Sequence, residues 1–412
     1  MKKQLFLLLI SFLVGFHAIG QGLEDYLKIA AENNPGVQAK FKEFEASLQK
    51  AAQIRSLPDP TLSFGYFISP VETRVGPQRA RFSINQMFPW FGTLKYYGNG
   101  AEALAEANYQ TFLNARNELF YRVKAAYYPM VELEQLIHLE EENIHILETY
   151  KSLATDKFAN GSGSMVNVLR VDIRLKDAIS NLDILKMKRK TLQTSFNNLL
   201  NRNEDEPIHL EESLTFDPNS GVYRYDSLLL GHPQLEAISM KIKAAESNER
   251  VAANQALPKI GVGLDYVLIG KREDMSVDDN GKNALMPMVS MSLPIFSGKY
   301  KAAEKEAQLM QEAYSYQYQE LENQLLSNFE MKAYELEKQA TLIQLYETQT
   351  LQSQQSLDLL FSSFSNSGND FEEVLLMQQE LLKYQKMKVE ALVKLEVTKA
   401  ELDYITAKSF EL

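Results

Sequence analysis

Chemistry needs side chains that can hold a metal, a proton or a nucleophile. This chain of 412 residues offers few of them in a working arrangement. It has no cysteine, hence no disulfide, thiolate ligand or lipid-bearing N-terminal Cys. Of its five histidines, His17 lies in an apolar leader. His138 and His145 are seven apart on a helical stretch and can share a face. Two imidazoles without a third ligand do not make a zinc site, and both read as surface or packing residues. His209 and His232 fall near the middle of the chain. No serine stands on the strand-to-helix elbow that a Ser-His-Asp triad of that kind needs. The residues therefore predict no enzymatic activity, no metal and no cofactor. Two sets of charges remain. Asp370, Glu372 and Glu373 cluster in FSNSGNDFEEVL, where the first turn of a helix favours acids. Arg79, Arg81, Lys259 and Asp265 fall on the polar positions of alternating runs.

The elements that carry these residues are written twice. Asn34-Pro35 matches His232-Pro233, Leu57-Pro58 matches Leu257-Pro258, Pro89 matches Pro294, and Phe158 matches Phe364. The offset drifts only from 198 to 206 residues. The chain is expected to divide into a leader (1–20), a first repeat (21–205), and a connector with a second repeat (206–412). Each repeat reads as helix, β-hairpin (61–88 or 259–293) and long helix pair (93–201 or 299–410). The helical stretches are rich in Ala, Glu, Gln, Lys and Leu, which lose little entropy in a helix. A helix of about 65 residues is a rod of roughly 100 Å. Pro129 interrupts the first and is expected to kink or bulge it.

Lys2 and Lys3, an apolar run to Phe16, and Ala18-Ile19-Gly20 together predict a cleaved secretory leader. Its loss takes the formal charge from −11 to −13, because Lys2 and Lys3 are its only charged residues. An acidic exported chain is a poor nucleic-acid binder, and none is expected as a partner.

The strands carry the most information. In Lys259 to Leu268, Ile260, Val262, Leu264 and Tyr266 alternate with Gly261, Gly263, Asp265 and Val267. Thr61–Ser69, Arg79–Phe88 and Met286–Leu293 alternate in the same way. Period two with one apolar face fits a sheet on a protein core. It also fits a transmembrane barrel with a wet lumen, and eight to ten residues suit a tilted crossing. Arg79, Arg81, Lys259 and Asp265 then line the lumen. Four strands cannot close a barrel alone, so strands must be pooled among two, three or four chains. Pro89 and Pro294 end the second strand of each hairpin. Phe88, Trp90 and Phe91 flank the first, and Phe296 follows the second, as a collar at the membrane interface or as filling for the helix–sheet junction.

SLPDPTLSFGYF, FSINQMFPWFGTL, ALPKIGVGLDYV and VSMSLPIFSG, with two glycine-bearing helical tips, make the chain resemble the TolC family of outer-membrane export ducts. The resemblance covers essentially the whole mature chain. It implies a mixed α and transmembrane β fold. Four strands per protomer enter a twelve-stranded barrel of a homotrimer, above a long periplasmic α-helical coiled-coil tunnel. It selects the trimer among the three counts. It implies an outer-membrane efflux or type I secretion duct, embedded in outer-membrane lipid. The implied partners are a periplasmic adaptor (membrane fusion) protein and an inner-membrane transporter of RND type. The tips Gly161, Ser162, Gly163 and Asn366, Ser367, Gly368 meet the adaptor in that scheme, or simply turn the chain. Glu373 matches one family acid at the narrowed entrance, while Leu376 stands where the next acid is expected. Asp370 and Glu372 are near enough to substitute. Threefold symmetry would make a ring of them that favours cations. Drug, metal-ion and protein cargo all stay open, with a slight inclination to a drug or heavy-metal pump. The contrasting reading is an exported coiled-coil tether without a channel.

Overall fold

A computed structural model describes residues 22–210, 214, 216, 223, 231–367 and 371–408. The expected leader, Gly368 and Asp370 lie outside them. The described chain opens with α1 (Leu23–Asn33) and α2 (Pro35–Ile54). Between them Asn34 takes extended angles, φ −65° and ψ 120°, as a residue before proline must. Its Oδ1 accepts from the Gly36 and Val37 amides at 3.0 and 3.3 Å, so it caps α2.

Next come β1 (Thr61–Tyr66), the short β2 (Glu72–Thr73) and β3 (Gly76–Phe88). Helices α3 (Thr93–Ala159) and α4 (Met165–Leu199) follow. The order then continues with α5 (Pro233–Gln255), β4 (Lys259–Ile269), β5 (Ala284–Ser292), α6 (Gly298–Ser367) and α7 (Phe371–Ile405). Alternation and composition place the long helices and strands β1, β3, β4 and β5 to within a few residues, whereas one helix is expected where α1 and α2 stand and β2 is not expected. The differences have local causes. Strand β1 stops at Tyr66 instead of Ser69 because the chain turns into β2, which pairs with the start of β3. Gly76 there has φ +129°, and a Cβ would stand 1.9 Å from the Gly270 carbonyl oxygen, so only glycine fits. Helix α3 runs on through Pro129. Helix α6 continues past Phe364 to Ser367, so Asn366 and Ser367 close a helix instead of forming a turn. Helix α7 ends at Ile405, short of residue 410. Ala407 takes φ +47°, and the Lys408 amide bonds back to the Asp403 carbonyl at 2.9 Å.

All strand pairs are antiparallel, in the order β1-β3-β4-β5 with β2 on β3. The central pair joins a strand from each half of the sequence. Strands β1 and β5 are the two edges. Pro287 sits in β5, where a residue without an N–H is tolerated.

The chain forms two units, and each takes segments from both halves of the sequence. The sheet belongs to one, Lys40–Phe112 and Pro233–Leu321. There Glu249 accepts from Gln308 and Gln311 at 2.9 and 2.7 Å, tying α5 to α6. The other unit, Met1–Ala39, Leu113–His232 and Glu322–Leu412, contains helices and no strand among its described residues. Its largest core cluster draws Leu147 and Tyr150 from α3, Val171 from α4, Phe364 from α6, and Phe371 and Val374 from α7. The Phe364 and Phe371 rings lie 4.5 Å apart. Complete burial of each such ring contributes about 1.5–3 kcal/mol. Val374, Leu381, Leu395 and Leu402 are buried along α7 at seven-residue steps or multiples of them. That is the spacing of a helix packed along its length on neighbours.

Candidate functional site

The sheet is inside out. Register aligns Leu62, Ile84, Leu264 and Pro287 in one row, and Phe64, Phe82, Tyr266 and Leu285 in the next. Phe88, Ile260 and Met291 form a third row. These rows share one face, and that face is bare: Leu62 is 72% exposed, Leu264 41% and Val289 80%. The opposite face carries Ser63, Ser83, Arg81, Asn85 and Asp265. On it, Asp265 has no exposed surface and is ion-paired to Arg81. Gly261 and Gly263 make room there. A Cβ at Gly261 would strike Met87 Sδ at 2.6 Å and Ser290 Oγ at 2.3 Å. Small residues on this side let long neighbours fold over it. In water this pattern is unfavourable twice, since it exposes apolar surface and buries a charge. In a bilayer it is the expected one.

The remaining sequence candidates fall where their elements put them. Arg79 is exposed on β3 near Gly270, and Lys259 is exposed at the start of β4. At the end of β3, Phe88 is partly bare and Phe91 is 80% exposed, with Trp90 edge-on to Phe91 at 5.9 Å. Gly92 turns the chain into α3 with φ +82°. In the second copy of the phrase, Phe296 is 78% exposed and Pro294 half-buried. Gly298 there simply begins α6.

At the α3–α4 tip, Gly161 takes φ +71°. The Ser162 amide bonds to the Lys157 carbonyl at 2.9 Å, and Gly163 passes so close that a Cβ would lie 3.0 Å from Lys157 Cβ. Ser164 caps α4. The second tip is held by residues that sequence spacing does not reveal. Lys157 donates to the Phe364 and Ser365 carbonyls at 3.1 and 3.4 Å, and so caps the end of α6. Arg170 of α4 donates to Glu372 at 2.7 Å, whereas Glu373 is exposed beside it. Lys151 and Lys176 flank Asp172 at 2.6 and 2.8 Å and hold its carboxyl down to about 2. Among the described residues, no group of three metal-ligating side chains assembles.

A family model described as "Outer membrane efflux protein" matches residues 26–202 and 224–403. The chain belongs to the outer membrane efflux protein family. It is 23% identical over 301 residues to the outer membrane efflux protein BepC of Brucella suis. That match covers 71% of this chain and 65% of BepC, so the chain spans just under two thirds of that relative. Solved structures share the fold. The outer membrane protein VceC of Vibrio cholerae superposes with a TM-score of 0.77 at 18% identity, over 94% of this chain and 97% of VceC. The MtrE outer membrane channel of Neisseria gonorrhoeae gives 0.74 at 17%, over 93% and 88%. The fold is the TolC-like mixed α and transmembrane β fold. Membership of this efflux family places the chain in the outer membrane, and no described helix is long and apolar enough to span one.

In an outer membrane efflux protein, a bare apolar sheet face is the one expected to meet lipid. Leu264→Arg should then cost about 2–4 kcal/mol near the bilayer midplane, while Ser83→Arg on the opposite face is tolerated. Folded protein in isolated outer membranes measures this, and equal yields of the two variants would contradict it. At the tip, the lowered carboxyl of Asp172 stabilises the fold above the ordinary carboxylate range, and that contribution is lost as pH falls through about 2. Asp172→Asn should therefore lower the melting temperature at pH 5–8, and the gap should close toward pH 2. A gap independent of pH would contradict the ion-pair account.

Proposed function

We propose that the chain is the exit duct of a tripartite efflux or type I secretion system. Three copies pool twelve strands into a barrel in outer-membrane lipid, and their helices form a tunnel into the periplasm. The observation that carries this reading is the sheet of four long strands, with the short β2 beside β3, that has an apolar outer face, a buried charge on its inner face and two open edges. Family membership supports it, and BepC is named as an efflux protein. A coiled-coil tether accounts for the long helices but leaves the bare face of the sheet without a purpose.

In this reading the protein is a passive duct and not an enzyme. Residues 21–205 and 206–412 are two repeats, each supplying one hairpin and one long helix pair. Arg79, Arg81, Lys259 and Asp265 line the lumen. Phe88, Pro89, Trp90 and Phe91, with Pro294 and Phe296, form the interfacial collar. The tips Gly161–Gly163 and Asn366–Gly368 receive a periplasmic adaptor, which couples the duct to an RND-type inner-membrane transporter. The cargo follows that transporter.

Asp370, Glu372 and Glu373 ring the entrance in this scheme. Arg170 neutralises part of Glu372, and Glu373 is exposed beside that pair. Glu373→Ala combined with Asp370→Ala should weaken divalent-cation block of conductance in planar bilayers severalfold. Unchanged block removes the acid ring, and absence of any conductance removes the duct.

A further inference from the structure

The helical unit contains a cavity that an export duct does not need. It is about 540 Å³, within the range of small-molecule sites, and lies between α3, α6 and α7. Its apolar body comes from Ile146, Leu357 and Leu381, together with the rings of Tyr150 and Phe361, stacked 5.5 Å apart. Exposed carboxylates of Glu142 and Asp358 also line the cavity, Glu142 lying 3.4 Å from His138 Nε2, and His145 is a further lining residue. No lysine or arginine is among its described lining residues. Gln378 also lines it, 4% exposed, and its Oε1 has no hydrogen-bond donor among the described residues. A buried acceptor without a donor is unfavourable, so the fold carries a penalty here that a ligand can remove.

These features select the ligand by charge and shape. Stacked aromatic faces attract a cation, and two carboxylates attract it further. A bare amide oxygen accepts a hydrogen bond and so asks for an N–H. Burial, with the Asp358 charge nearby, pushes the Tyr150 hydroxyl up to about 12. It therefore stays neutral and does not compete as an anion. A neighbouring cavity of about 340 Å³ shares Gln378 but balances Glu140 and Asp177 with Arg174 and Lys386, so it has no net charge to select a cation.

We propose that the cavity between α3, α6 and α7 binds a protonated amine attached to an aromatic or aliphatic body. The ammonium lies between Asp358 and the Gln378 amide oxygen, and the apolar body lies against Tyr150 and Phe361. This site is independent of the duct reading, since it is built within one chain and is read by binding, not by conductance.

The test uses the full-length protein in lipid nanodiscs and dansylcadaverine, a primary amine on a fluorescent aromatic ring. Its N-acetylated form, neutral and of similar shape, is the control, and empty nanodiscs are the blank. Fluorescence anisotropy should show saturable binding of the amine and much weaker binding of the acetylated form. Asp358→Asn, at an exposed position, should weaken amine binding roughly tenfold, the scale of a lost charge-assisted hydrogen bond. Gln378→Leu should weaken it as well, without lowering the melting temperature, because it removes the unpartnered acceptor. Equal affinity for the two probes overturns the charge selection. No saturable binding, including the case where another copy fills the groove, overturns the site, as does an Asp358→Asn variant that binds like the parent.

Discussion

Two open strand edges govern this molecule. Strands β1 and β5 each leave one side of their backbone without a strand partner among the described residues, in a sheet whose apolar face is bare. In hydrocarbon every unpaired N–H or C=O costs several kcal/mol, and no side chain or water is at hand to meet it. Four strands are too few to curl onto themselves. The strands alternate in direction, so β1 and β5 are themselves antiparallel and can meet across copies of the chain in the pattern that the rest of the sheet already has. In the proposed duct, closure by other copies would satisfy the edges and leave the apolar face to lipid. It also sets how many helices the assembly carries, since each chain brings two long helices and two return helices.

Much of this was legible in the sequence because the relevant signals are local. Period-two alternation marks β3, β4 and β5 by residue type alone, and the absence of Gly and Pro marks α6. The signals fail where a contact partner decides. Strand β2 exists because of a turn closed by Gly76 against Gly270, about two hundred residues apart. The end of α7 depends on a left-handed alanine, a residue type that gives no warning. Met87, Met286 and Met288 share a face with Asp265, yet they read as apolar one residue at a time. The alternation puts them on the polar face, where Met87 and Met288 lie over Gly261 and Gly263.

The candidate site was legible only in part for the same reason. The acids after the second tip stand out as a cluster, but the Arg170 that pairs with Glu372 is 202 residues away. Lys157 is equally remote from the carbonyls it caps. Deeper in the helical unit, Glu140 is 1% exposed and paired to Lys386. A buried pair of this kind adds little net stability, and its use is to fix which helix faces which. Helix α3 and helix α7 both carry apolar stripes, and such stripes tolerate a slip of register. A single buried pair between them does not.

In the proposed trimer, β1 of one copy pairs with β5 of the next until three copies close. The chain has no cysteine of its own, so introduced pairs report without background. Ser63→Cys on β1 can be combined in turn with Met286→Cys, Met288→Cys or Ser290→Cys on β5, all on the inner face. After oxidation in outer membranes, denaturing electrophoresis should show covalent dimers and trimers ending at the trimer for at least one pair, since neighbouring strands bring Cβ atoms within disulfide reach. Monomers for every pair, or a ladder that ends at two or continues to four, would contradict the account.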